Sequence, residues 1–95
     1  MKAILIQYEK LEYTDGSILE VKLWLVPKLK DKPHGYKYSL SFIQEGIRVI
    51  GYDNAEGKGD HRHIRGKESP YKFKNIERLV RDFLNDVEKI KRGEI

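Results

Sequence analysis

A chain of 95 residues suffices for one domain with a modest core, and at 39% hydrophobic and 36% charged residues it is globular rather than disordered. It contains no cysteine, which excludes disulfides, thiolate metal sites and cysteine nucleophiles, and no apolar run approaches the ~20 residues of a membrane span. The formal net charge of +4 favours a polyanionic partner, and charge carried mainly by lysine and glutamate, with Asn, Gln, Cys and Met scarce, is a pattern of thermophile proteins that charged mesophilic domains also share.

Residues 1–6 are basic and then apolar but stop at Gln7, too soon for a signal peptide, so a cytoplasmic chain forming a single domain over residues 1–95 is expected. Residues 3–13, rich in Ile, Leu and Tyr, read as a first strand, and Thr14-Asp15-Gly16-Ser17 reads as a hairpin turn. Residues 18–26 alternate, with Leu19, Val21, Leu23 and Leu25 facing one way and Glu20, Lys22 and Trp24 the other. Trp24 is then either a platform for a partner or base, or is covered by a loop folding over that face. Pro27 ends this strand, and residues 28–35, which hold Pro33, His34 and Gly35, are a polar loop. Residues 36–44 form a third strand with Tyr36, Tyr38, Leu40 and Phe42 on one face. Glu45-Gly46 is a tight turn, and residues 47–54 form a fourth strand. Residues 55–73 have no clean period and read as a long loop, of the kind that is usually functional or mobile.

The last segment is the clearest helix. Ile76, Leu79, Val80, Phe83, Leu84, Val87 and Ile90 share one stripe, Asn75 is placed to cap it, and Gly93 follows a basic last turn. One apolar helix face and one apolar sheet face predict an α+β two-layer sandwich: a four-stranded antiparallel meander sheet with the C-terminal helix packed on one face, in the order ββββα. The free edge of such a sheet invites a homodimer or an added strand.

The charge is not spread evenly. Residues 58–74 hold six basic and two acidic side chains, which accounts for the whole net charge of +4. Lys58, Arg62, Arg65, Lys67 and Lys72, with Tyr71 and Phe73 interleaved, read as phosphate clamps and stacking platforms for nucleic acid, or else as an ordinary solvated loop. Two of the three histidines, His61 and His63, lie here one residue apart. If the segment is extended, both imidazoles point to the same side.

Such a pair suits metal-free RNA cleavage. A neutral imidazole takes the 2′-hydroxyl proton and a protonated one supplies the departing 5′-oxygen, since histidine's reference pKa of ~6.5 makes both forms available. Arg62 and Arg65 would stabilise the charge growing on phosphorus, Asp60 or Asp53 would orient an imidazole, and Tyr71 would stack a base or donate its hydroxyl. The reaction calls for no cofactor. A metal site built from His61, His63 and Asp60 is the competing chemistry, but the surrounding arginines and lysines disfavour a cation. Solvated loop histidines without a role, and a turn built from Asp53 and Asn54, are the plain structural readings.

The ordered set Lys10-Leu11-Glu12-Tyr13-Thr14-Asp15-Gly16-Ser17, Glu20-Val21-Lys22-Leu23-Trp24-Leu25-Val26-Pro27, Tyr36-Lys37-Tyr38-Ser39-Leu40 and Tyr52-Asp53-Asn54-Ala55, followed by the histidine pair, resembles the TumE family of small toxin-antitoxin proteins. The resemblance implies a toxin component, commonly an endoribonuclease, held by a helix-turn-helix antitoxin. The alternative expectation is a non-enzymatic module that binds nucleic acid or the antitoxin through the basic segment.

Overall fold

The computed structural model describes residues 3–95 apart from 31, 56 and 58. Among the described residues the chain runs β1 (Ile4–Glu12), β2 (Ile18–Leu25), β3 (Tyr36–Gln44), β4 (Ile47–Asp53), β5 (His61–Ile64), β6 (Lys67–Pro70) and α1 (Ile76–Lys91). Each strand pairs antiparallel with the next, so the sheet is a six-stranded meander in the order β1-β2-β3-β4-β5-β6.

The expected α+β layering is present, but the sheet has six strands and not four. The correction falls within the segment read as a long loop. Residues 61–70 form a hairpin closed by Arg65-Gly66, whose φ values of 48° and 83° match those of the Glu45-Gly46 turn, 52° and 77°. Two successive positive φ values are what a two-residue turn needs to follow the right-handed twist of its strands, and glycine takes the second without cost. Polar side chains fill most of β5 and β6, so no apolar alternation marks them, yet backbone pairing with β4 holds them in the sheet.

Alternation sorts the sheet into two faces. Leu19, Val21 and Leu23, then Tyr38, Leu40 and Phe42, then Ile50 and Tyr52 lie under the helix stripe of Leu79, Phe83, Val87 and Ile90, and all are buried. Fully burying a side chain of this size contributes about 1.5–3 kcal/mol, so this layer carries most of the stability. The helix begins where Asn75 accepts a bond from the Arg78 backbone N–H (2.7 Å) and ends where Gly93, at φ 73°, lets Glu94 N–H reach Lys89 C=O and its own N–H reach Ile90 C=O. Leu84, expected on the stripe, is instead 43% exposed at its margin.

The opposite face of the sheet carries no helix. Register places two cross-strand rows on it: Tyr8–Lys22–Ser39–Asp53–His61–Pro70 and Lys10–Glu20–Ser41–Gly51–His63–Glu68. This open face positions the histidines.

Candidate functional site

Because β5 is extended, His61 and His63 do share one face, and it is the open one. Their ring centroids are 6.3 Å apart and their planes nearly perpendicular, at 77°. Each ring has its own carboxylate. His63 Nε2 lies 3.4 Å from Asp53 Oδ2, and His61 Nδ1 lies 3.5 Å from Glu68 Oε1. The His63 contact is within ion-pair reach but lacks hydrogen-bond geometry, and the Nε2 atoms of both rings are buried with no hydrogen-bond partner among the described residues. Buried polar atoms are almost always bonded, so two unbonded imidazole nitrogens on one face stand out among the described residues.

Asp53 is held from its other side. Arg48 Nη1 donates to Asp53 Oδ2 (3.0 Å), its Nε to Ser41 Oγ (2.9 Å) and its Nη2 to Leu40 C=O (3.1 Å). The guanidinium lies flat on β4 because Gly51 leaves room for it: a Cβ at that position would fall 2.2 Å from Arg48 Cζ. Arg48, Asp53 and His63 therefore form a line of contacts on the open face, and His61 and Glu68 form a second beside it.

The basic residues go elsewhere. Arg62, between the histidines, points to the helix face, where its Nε and Nη2 grip Asp86 of α1 at 2.8 Å each and Tyr52 donates its hydroxyl to the same carboxylate at 2.5 Å. Burial, reinforced by the Asp86 bond, pushes the Tyr52 phenol well above its ordinary range. Lys67 pairs across from Ile64, and so shares the helix side of the hairpin. Tyr71 is also on that side, donating to Asp82 (2.7 Å) and meeting Tyr52 edge-on. Lys72 lines the same groove as Arg62, Tyr71 and Asp86. Arg65 sits in the β5–β6 turn, with Nε 3.3 Å from Ile95 C=O. Lys58 lies outside the described residues. Arg62 and Tyr71 are thus removed from the histidine pair that they were expected to serve, because single-residue steps along a strand alternate faces.

Asp60 is also committed elsewhere. It accepts from Tyr38 Oη (2.7 Å), His34 Nε2 (3.0 Å) and Asn54 Nδ2 (3.4 Å), while His34 Nδ1 accepts from the Tyr36 backbone N–H (3.2 Å) and its ring lies tilted by 30° against Phe73, with centroids 3.9 Å apart. Burial and then the Asp60 bond drive the Tyr38 phenol far upward. Among the described residues no group of three or more His, Asp or Glu side chains is arranged to hold a metal ion, so the trio of His61, His63 and Asp60 does not assemble as one. Asn54 is fully buried and bonds the Tyr38 N–H and the Tyr36 C=O, so it is a tie between strand and loop rather than a turn residue facing water.

Glu68 and Asp86 were missed in the sequence as partners of His61 and Arg62. Only the hairpin turn at Arg65-Gly66, read as such, would have placed Glu68 opposite His63 and within reach of His61.

The sequence model of the family described as Toxin TumE matches residues 4–91, nearly the whole chain, and the chain belongs to that family. Neither the curated proteins nor the solved structures include a match.

Proposed function

We propose that this member of the TumE toxin family is a metal-independent endoribonuclease whose acid–base pair is His61 and His63. The observation that carries the reading is the pair itself: two imidazoles on one face, each beside its own carboxylate, both with an Nε2 that makes no hydrogen bond among the described residues. One neutral imidazole accepts the 2′-hydroxyl proton as the 2′-oxygen attacks the adjacent phosphorus. The P–O5′ bond breaks, and the partner imidazolium donates its proton to the 5′-oxygen. The products are a 2′,3′-cyclic phosphate and a 5′-hydroxyl, and no electrons, water or cofactor are consumed.

Arg48 replaces Arg62 as the cation for the developing phosphorane charge, since it is fixed beside Asp53 on the histidine side while Arg62 is bound to Asp86 on the other. Asp53 and Glu68 orient the two rings. Arg65, in the hairpin turn, is a second-rank phosphate contact, whereas Lys67 faces the helix side with Arg62. The proposed partners are RNA and an antitoxin, of helix-turn-helix type, covering the open face. A homodimer through edge strand β1, where Ile4, Leu5, Ile6 and Leu11 are all about half exposed, completes the set.

A second reading rests on the burial of both Nε2 atoms. A non-enzymatic module would use this face to bind nucleic acid or the antitoxin, with the imidazoles as hydrogen-bond groups only. Digestion of end-labelled RNA separates the two. Cleavage that survives EDTA and disappears in the His61→Ala/His63→Ala double variant supports the ribonuclease. RNA bound but uncleaved by the wild type supports the module, and cleavage abolished by EDTA overturns the metal-free mechanism.

A further inference from the structure

The histidine pair occupies only the β4–β6 end of the open face. The rest of that face runs on over β3, β2 and β1 with a different character. Ser39 and Ser41 on β3 put small hydroxyls beside Asp53 and Gly51. Beyond them lies Trp24 on β2, half-buried, with the Lys37 ammonium 4.9 Å from its ring centre. Next to Trp24 on the same strand, Lys22 stands 6.0 Å from the ring centre of Tyr8 on β1, and Tyr8 is 52% exposed.

The charges on this face are mostly matched. Lys22 is 3.6 Å from Glu20, Lys10 is 3.8 Å from Glu12, and Arg48 holds Asp53. Lys37 is the exception: among the described residues it has no carboxylate partner, and it sits over the one tryptophan of the chain. An unmatched ammonium beside an accessible indole is complementary to a nucleotide, which brings a phosphate and a flat base together. Strands are about 4.8 Å apart, so Trp24 on β2 lies roughly 14 Å across the sheet from the histidines on β5. That is a few nucleotides of extended chain. A duplex hides its base faces and holds its backbone out of line for attack by the 2′-hydroxyl; a single strand has neither restriction.

We infer that the open face of β1–β3 is a binding track for single-stranded RNA, with Trp24 stacking a base and Lys37 holding a phosphate a few nucleotides from the scissile bond. The inference deepens the ribonuclease reading and rests on it for the direction of the strand. It also assigns a job to a part of the sheet that acid–base chemistry does not use.

The single tryptophan makes the test direct, because the intrinsic fluorescence above 295 nm excitation reports Trp24 alone. The wild-type protein is titrated with a single-stranded oligonucleotide carrying 2′-O-methyl groups throughout, which lacks the attacking hydroxyl and is therefore bound without being cleaved. The expected result is saturable quenching of Trp24, weak or absent with the matching duplex. Followed by fluorescence anisotropy of a labelled strand, Trp24→Ala should loosen binding about tenfold to a hundredfold, the range for a lost base–aromatic stack. Lys37→Ala, which keeps the tryptophan and guards against a misfolded Trp24→Ala protein, should lower the slope of log affinity against log salt by about 0.7. Unquenched Trp24 in a protein that still cleaves RNA overturns the track and leaves the ribonuclease standing. Quenching in a protein that cleaves no RNA overturns the ribonuclease and leaves a single-strand binding face. Equal quenching by duplex overturns the single-strand claim, and a change in emission on concentrating the protein without RNA, together with a doubled mass, assigns the face to a second copy of the chain instead.

Discussion

His34 and the pair His61–His63 put the same side chain into opposite circumstances. His34 has every polar atom engaged: Nδ1 takes the Tyr36 N–H, Nε2 faces Asp60, and Phe73 covers the ring. Its tautomer follows from its neighbours, since an accepting Nδ1 leaves the proton on Nε2 for Asp60. The His61 side chain is at least as shielded and that of His63 somewhat less so, yet among the described residues the Nε2 of each makes no hydrogen bond. A histidine that only holds a fold is satisfied by that fold. The difference adds a structural mark to the pair that its spacing in the sequence already sets apart from His34.

The largest expected effect breaks the comparison at the pair. His61→Ala or His63→Ala should lower RNA cleavage by about 10²–10⁴-fold, the usual loss for an acid or base, while the urea midpoint changes little. A variant that unfolds in step with its loss of activity would put the pair in the same class as His34.

The next effect lies on the far side of β5. Removing one partner of a largely buried ion pair strands the other, so Asp86→Ala should cost about 3 kcal/mol in denaturant unfolding, with Tyr52 also losing its acceptor. Asp86→Asn should cost less. If Arg62 served the phosphate, the Asp86 variants would free it and raise RNA affinity; the prediction is that affinity stays unchanged.

Asp60→Ala should follow at about 1–3 kcal/mol, because Tyr38, His34 and Asn54 all lose the same acceptor. Thermal unfolding checks the size. Cleavage per folded molecule should persist, which separates Asp60 from Asp53 although both were expected to orient a histidine.

Much of this was legible in the residues. The four long strands, the Asp15-Gly16 and Glu45-Gly46 turns, the Asn75 cap and the Gly93 stop all announce themselves by apolar period or by residues that only certain turns accept. The shared face of His61 and His63 also follows from an i, i+2 spacing. What failed was the step from a basic tract to a basic surface. The tract is a hairpin, and a hairpin divides its side chains: His61, His63 and Glu68 go to one face, Arg62 and Lys67 to the other. Short polar strands carry no hydrophobic alternation to betray them, since their pairing is with backbone already laid down by β4. The one local clue, glycine after arginine at positions 65 and 66, weighs little without the neighbouring strand.

Gly51→Ala is the smallest of the expected effects and the sharpest test of which arginine serves the pair. The new methyl would fall on the Arg48 guanidinium, 2.2 Å from Cζ. That group is the far end of a flexible side chain that is one-third exposed, so it can swing into water, and the stability change should stay near 1 kcal/mol. The swing releases Asp53, Ser41 and the Leu40 carbonyl from Arg48 together. With Asp53 no longer held and the cation gone from the histidine side, cleavage should fall about tenfold or more. Arg48→Ala should give the same loss by direct removal. The double variant should be no worse than either single one, because both changes act through one guanidinium and their effects cannot add. Additive losses would place Gly51 and Arg48 in separate roles, and an unaffected Gly51→Ala protein would return the proposed phosphate contact to the hairpin turn, to Arg65.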